Sequence, residues 1–103
     1  MGVDTGKFMM TRQFLILDKA DNVGVALADL PPGSLVDSPD MALSVRLAEA
    51  IPAGHKFALS PIEPGEPIMK YGVCIGRSTA AIGAGRHVHV QNIESMRGRG
   101  DRT

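Results

Sequence analysis

The sequence predicts a mostly β domain built from short, kinked strands, and three observations lead there. Glycine and proline are frequent, at 12 and 7 of 103 residues, and both interrupt regular structure too often to leave room for long helices. Between these breakers, apolar side chains alternate with polar or small ones over short runs, the period of a strand with one buried face. The chain is also short enough to hold only one core. Hydrophobic residues make up 44% of it but aromatics only 4%, with no Trp, so that core is thin and assembled from Val, Ile, Leu, Ala and Met.

The first strand signal is Gln13-Phe14-Leu15-Ile16-Leu17. Residues 1–12 precede it without any period and read as a flexible N-terminus. Turn formers from Asp18 to Asn22 lead into Val23-Gly24-Val25-Ala26-Leu27-Ala28, and the two runs together suggest a hairpin or meander. Pro31-Pro32-Gly33 and Ser38-Pro39-Asp40 then break the pattern. Leu43-Ser44-Val45-Arg46-Leu47 resumes strict alternation and reads as a strand, although a short helix over residues 40–50 also suits Met41, Ala42, Leu47 and Ala48. From Ile51 onward breakers are dense, and Lys56-Phe57-Ala58-Leu59, Ile68-Met69-Lys70-Tyr71, Val73-Cys74-Ile75 and His87-Val88-His89-Val90 fit between them as short strands. Ser78 to Ile82 is compatible with one helical turn capped by Ser78 or Thr79. No internal repeat is evident. The closing stretch is basic, glycine-rich and poor in apolar residues, so residues 94–103 read as a tail and residues 13–93 as the domain.

Charge excludes some partners. Eleven basic and eleven acidic side chains cancel, which leaves no overall field to recruit nucleic acid or an anionic membrane. No apolar run reaches the roughly 18 to 20 residues of a membrane-spanning helix. The single Cys74 cannot form an internal disulfide, and the N-terminus lacks a secretory pattern, so a cytoplasmic protein is expected. Exposed strand edges on a thin core favour burial against a neighbour, hence a homo- or hetero-oligomer.

The residues able to do chemistry all follow Gly54. In a strand, residues two apart share a face, so His87, His89 and Gln91 would form a row of two imidazoles and an amide, able to grip a metal or a polyol. Two imidazoles leave a mononuclear site incomplete, and solvated strand histidines would look the same. His55 and Lys56 follow a Pro-Ala-Gly turn, where they can contact an anion, supply an acid and a base, or simply be exposed. Lys70-Tyr71-Gly72 is similar, and Tyr71 also fits a core residue with its hydroxyl at the surface.

As a set, Asp21-Asn22-Val23-Gly24-Val25-Ala26-Leu27, Gly54-His55-Lys56-Phe57-Ala58-Leu59, the run from Ile62 to Gly72, Ile75-Gly76 and His87-Val88-His89-Val90-Gln91-Asn92 resemble successive signatures of the altronate/galactarate dehydratase family. The likeness runs over about residues 13 to 101, its last segment resembling the connection toward a larger domain, so the tail reads as a docking arm. One position departs: the family commonly has a second His before the Asn, where this chain has Gln91. The resemblance implies a β-clip SAF-type domain, related in fold to modules of sialic acid synthases, type III antifreeze proteins and flagellar basal-body assembly proteins. It implies dehydration of a sugar acid, altronate- or galactarate-like, with a divalent metal, usually iron, and with a large subunit supplying much of the active site. In these terms His55, Lys56, Lys70 and Tyr71 are the catalytic candidates, Gln91 and Asn92 the substrate-binding ones, and His87 and His89 the metal ligands. The chain is then the small subunit of a hydro-lyase, inactive alone. The alternatives are a non-catalytic module that binds a sugar acid or a protein partner, and the small subunit of a sulfolactate sulfo-lyase, which eliminates sulfite instead of water.

Overall fold

The computed structural model describes residues 13–95, and the expected flexible N-terminus and most of the expected docking arm lie outside the described residues. Among the described residues, nine short strands follow one another: β1 (Phe14–Leu15), β2 (Val23–Ala26), β3 (Leu35–Ser38), β4 (Leu43–Arg46), β5 (Lys56–Ala58), β6 (Pro67–Lys70), β7 (Val73–Ser78), β8 (His87–Val88) and β9 (Ile93–Ser95). They form three antiparallel sheets, ordered β1-β2-β5-β8, β3-β4 and β6-β7-β9. The architecture is mostly β, as expected. Among the described residues, no helix is long and apolar enough to cross a membrane.

One local expectation holds and others change. The alternation at Leu43 is a strand, and the only helical feature near it is a 3-10 turn, Pro39–Met41. Ser78 to Ile82 makes no helical turn, because the two groups that would close it are taken by neighbouring segments: the Ser78 carbonyl accepts the Gly65 N–H and the Ile82 N–H donates to the Ile62 carbonyl, each at 2.8 Å. Leu35–Ser38 and Ile93–Ser95 are strands that alternation did not reveal, and the latter places Glu94 and Ser95 in a sheet, not in the tail.

The structure also shows an internal repeat that the sequence hides. A buried Leu or Ile is followed three positions later by a glycine and three further on by a second buried apolar residue. The copies are Leu30, Gly33, Val36; Ile51, Gly54, Phe57; Ile62, Gly65, Ile68; and Ile82, Gly85, Val88. In each copy the glycine has φ between +81° and +86°. The residue after it donates its N–H to the carbonyl three positions back, at 3.0–3.2 Å. A type II turn requires that positive φ at its third position, which explains the glycine. Each glycine N–H then donates at 2.8 Å to a neighbouring carbonyl, of Leu47, Ala26, Ser78 or Ala58 respectively. Bridges Leu30–Ile51 and Ile62–Ile82 pair the copies. Only the glycines and two apolar positions recur in all four copies, and the residues between them differ from copy to copy, which is why no repeat is visible by eye.

Alternation along β2 and β5 divides the core. Ala26 and Phe57 pack with Leu30, Val36, Leu47, Ile51 and Leu59 on one side, while Val23, Ala58, Ile62, Ile68, Ile82 and Val88 fill the other. The start of β2 is tied to β6 by Asn22, which receives the Met69 N–H at 2.7 Å on Oδ1 and donates from Nδ2 to the Pro67 carbonyl at 2.9 Å.

Candidate metal centre

The register of β5 against β8 builds the site. Lys56 pairs with Val88 and Phe57 with His87, so the same register carried one step further sets His55 opposite His89. Directly opposed residues share a face, and so do residues two apart. His55, His87 and His89 therefore project from one side, next to the fully buried ring of Phe57. Their rings stack: centroids lie 4.0 Å apart for His55 and His89, 5.0 Å for His55 and His87, and 5.4 Å for His87 and His89, with interplanar angles of 17–19°. One ring nitrogen from each comes within 4.8 Å of the others.

The turn after β8 is built to hold these rings. The sequence predicted a continuous strand through Val90, but β8 stops at Val88 and the chain reverses, the Asn92 N–H donating to the His89 carbonyl at 3.0 Å. Asn92 also spends its side chain on this turn, accepting the His89 N–H at 2.9 Å and donating to the His87 carbonyl at 2.8 Å. Asn92 thus positions two histidines with both ends of its amide. Gln91 reaches back across the turn, its Nε2 lying 3.2 Å from His87 Nδ1. The imidazole–amide grouping expected of a strand is present, supplied by a turn.

The donor set suits a divalent metal. His55 Nδ1 and His87 Nε2 are 2.8 Å apart, close to the roughly 3.3 Å that two nitrogens bound at about 2.0 Å would show around a tetrahedral ion. His89 Nδ1 is buried with no hydrogen-bond partner, the kind of orphan that asks for a reason. Metal binding needs neutral imidazole. Burial, followed by the charges of His55 and Lys56, pushes His89 below the usual histidine range. His87 is lowered by burial and then by His55, His89 and Lys56, against a weaker upward pull from Glu49. His55 supplies the third nitrogen that His87 and His89 lacked, through cross-strand register that only the fold reveals.

The remaining candidates form a second group. Alternation sends Lys56 to the face of Ala58 and Val88, away from Phe57 and His55. Burial, and secondly the charge of Lys70, lowers its ammonium below the ordinary lysine range. Lys70 Nζ lies 5.0 Å from the centre of the Tyr71 ring. Tyr71 and Gly72, with φ of 56° and 79°, make the two-residue turn between β6 and β7, a geometry that twists with the strands it joins. Asp21 accepts the Gly72 N–H at 2.8 Å. The lysines and the histidines are thus two neighbouring groups linked electrostatically through Lys56.

A family model described as the altronate/galactarate dehydratase SAF domain matches residues 12–96. The chain belongs to that family. It is 42% identical over 80 residues to altronate dehydratase of Escherichia coli K12, and 34% identical over 84 residues to altronate dehydratase of Bacillus subtilis 168. These matches cover 78% and 82% of this chain but only 16% of either relative. It is also 35% identical over 94 residues to the (2R)-sulfolactate sulfo-lyase subunit alpha of Chromohalobacter salexigens, covering 85% of this chain and 99% of that protein. Within this SAF domain, the Asp21-Asn22 signature has a structural account, since both side chains tie the β6–β7 hairpin to the start of β2.

Proposed function

We propose that the chain is the small component of a hydroxy-acid lyase of the dehydratase type, whose active site is completed by a separate large component. The observation that carries this reading is the cluster of His55, His87 and His89, three ring nitrogens brought within 4.8 Å by two strand ends. The relatives that match this SAF domain are named as dehydratases and as a sulfo-lyase subunit. A divalent metal held by the three histidines would supply Lewis-acid stabilisation of negative charge developing on the substrate. We assign iron as that metal on the family resemblance.

In an elimination next to a carboxylate, a base removes the α-proton and positive charge steadies the enediolate. Lys56, whose ammonium is lowered by burial and by Lys70, suits the base. Lys70 supplies fixed positive charge beside it, and Tyr71 orients the Lys70 ammonium through its ring. Gln91 is exposed and can reach a substrate hydroxyl, whereas the Asn92 amide is occupied by the backbone it shapes. Val90, 78% exposed at the tip of the same turn, offers an apolar contact for the large component.

A second reading, sulfite elimination from sulfolactate, is favoured by one finding: the match covers 99% of a sulfo-lyase subunit but 16% of an altronate dehydratase. Co-expression with the large component, followed by assays on altronate, galactarate and sulfolactate, separates the two. Water loss from a sugar acid supports the first reading and sulfite release the second. A purified complex inert toward all three substrates contradicts both, leaving a non-catalytic binding module.

A further inference from the structure

Gln91 lies in the turn after β8, and its amide nitrogen stands 3.2 Å from His87 Nδ1 while His87 Nε2 is 2.8 Å from His55 Nδ1. The main chain of His87 is held on both sides. Its N–H donates to Glu49 Oε2 at 2.9 Å, and its carbonyl accepts from Asn92 Nδ2 at 2.8 Å. With the backbone fixed, what remains open is which ring nitrogen carries the proton.

A neutral imidazole donates from one nitrogen and accepts at the other. When the Gln91 amide donates to Nδ1, the ring proton sits on Nε2 and points at His55 Nδ1, closing that contact as a hydrogen bond. The Nε2 lone pair is then unavailable to a cation. Rotating the amide by half a turn presents Gln91 Oε1 to Nδ1, which becomes the N–H donor and leaves Nε2 bare. The ring neither gains nor loses a proton; one passes from Nε2 to Nδ1 through solvent. A carboxamide serves both states without changing charge, which an acceptor-only carboxylate or a donor-only ammonium cannot do.

We infer that Gln91 is a positioning residue that selects the tautomer of His87. As donor it holds the closed His55–His87 pair, and as acceptor it opens His87 Nε2 toward a divalent cation. The cation half of this inference rests on the metal reading above, and the tautomer half does not. Partners of ligating histidines are commonly worth 10- to 100-fold in metal affinity, and the exposure of Gln91 sets its effect at about threefold to tenfold.

The test compares the intact chain with Gln91→Glu and Gln91→Leu, each ¹⁵N-labelled at histidine and free of metal at alkaline pH. In the parent chain the His87 nitrogen shifts should report Nε2–H. Gln91→Glu, an acceptor only, should move the ring to Nδ1–H, and Gln91→Leu should give a mixture. Titration with Co(II) should show binding tighter by about threefold to tenfold for Gln91→Glu, and little change for Gln91→Leu, which loses the contact that closes the ring and the contact that opens it alike. Val90→Glu, which adds the same charge one residue away, should leave the tautomer unchanged. A His87 tautomer identical in all the chains overturns the inference, even where Co(II) affinity changes, because bare charge then explains the affinity. Tautomers that respond as stated with no Co(II) binding in any chain uphold the role of Gln91 and overturn the metal reading alone.

Discussion

Gly33 and Gly85 occupy the same place in two copies of the turn repeat, with φ of +85° and +81°, yet they should respond very differently to alanine. A methyl at Gly33 meets nothing within 4 Å, whereas at Gly85 it overlaps the Arg46 carbonyl oxygen and lies 3.1 Å from the Ala48 nitrogen. Alanine in the left-handed region costs about 1–2 kcal/mol, offset by about 0.4–1 kcal/mol because the unfolded chain loses freedom too. Gly33→Ala should therefore destabilise by about 1 kcal/mol. Gly85→Ala carries the same term and adds about 1–3 kcal/mol for displacing packed backbone, a total of about 2–4 kcal/mol. For a domain of this size, 1 kcal/mol moves Tm by about 4–8 °C, so the losses should be about 5 °C and at least about 10 °C. Thermal melts followed by circular dichroism measure both, and Gly33→Ala serves as the internal control. Equal losses, or a smaller loss at Gly85, would refute the claim that close backbone approach, not φ alone, fixes glycine there. Because β8 begins two residues later, Gly85→Ala should also weaken Co(II) binding, while Gly33→Ala leaves it unchanged.

Three further outcomes are expected. Asn22→Ala removes both side-chain bonds that tie β2 to β6, and should cost about 1–3 kcal/mol in urea unfolding; a change under about 0.5 kcal/mol would show that β2 and β6 are held otherwise. Asn92→Ala should cost about 1–2 kcal/mol and weaken Co(II) binding, since it frees the backbone of two histidines, and full Co(II) affinity in this variant would remove its positioning role. His87 and His89 are held below the usual histidine range, so below about pH 6.5 the unfolded chain binds more protons than the folded one. Their contribution to stability is complete above that pH and is lost as pH falls from there toward the lowered folded values. The urea midpoint should drop between about pH 7.5 and 5.5, less steeply in a His87→Gln, His89→Gln chain, and an unchanged slope would contradict their burial.

Much of this arrangement was legible before the fold. Breaker density and alternation gave the class, and Val23–Ala26, Leu43–Arg46 and Lys56–Ala58 lie where period two placed them. Leu35–Ser38 escaped because its alternation is short and ends in polar residues, and Ile93–Ser95 because it is short and only partly apolar. His87 and His89 could be paired by spacing, since they are near neighbours along one strand end. His55 could not, because its place opposite His89 depends on the β5–β8 register, a pairing of distant segments pinned where Ala58 exchanges hydrogen bonds with Gly85 and Arg86, and no local pattern encodes it. The part played by Asn92 was hidden for the same reason: an amide can face a ligand or its own backbone, and only the turn at His89 decides.

The proposed role is tested most directly by lyase turnover in a complex of the chain with the proposed large component, comparing the parent with His55→Ala and His89→Ala. Both histidines are partly exposed, so each variant should keep its fold, with a change in stability within about 1 kcal/mol. Each should still associate with the large component. Turnover should nevertheless fall by about 100-fold or more, with the loss in kcat, because in the proposed mechanism the groups removed act on charge that develops during the reaction. Folded, associated variants that turn over at the parent rate would contradict the claim that this histidine cluster completes the active site.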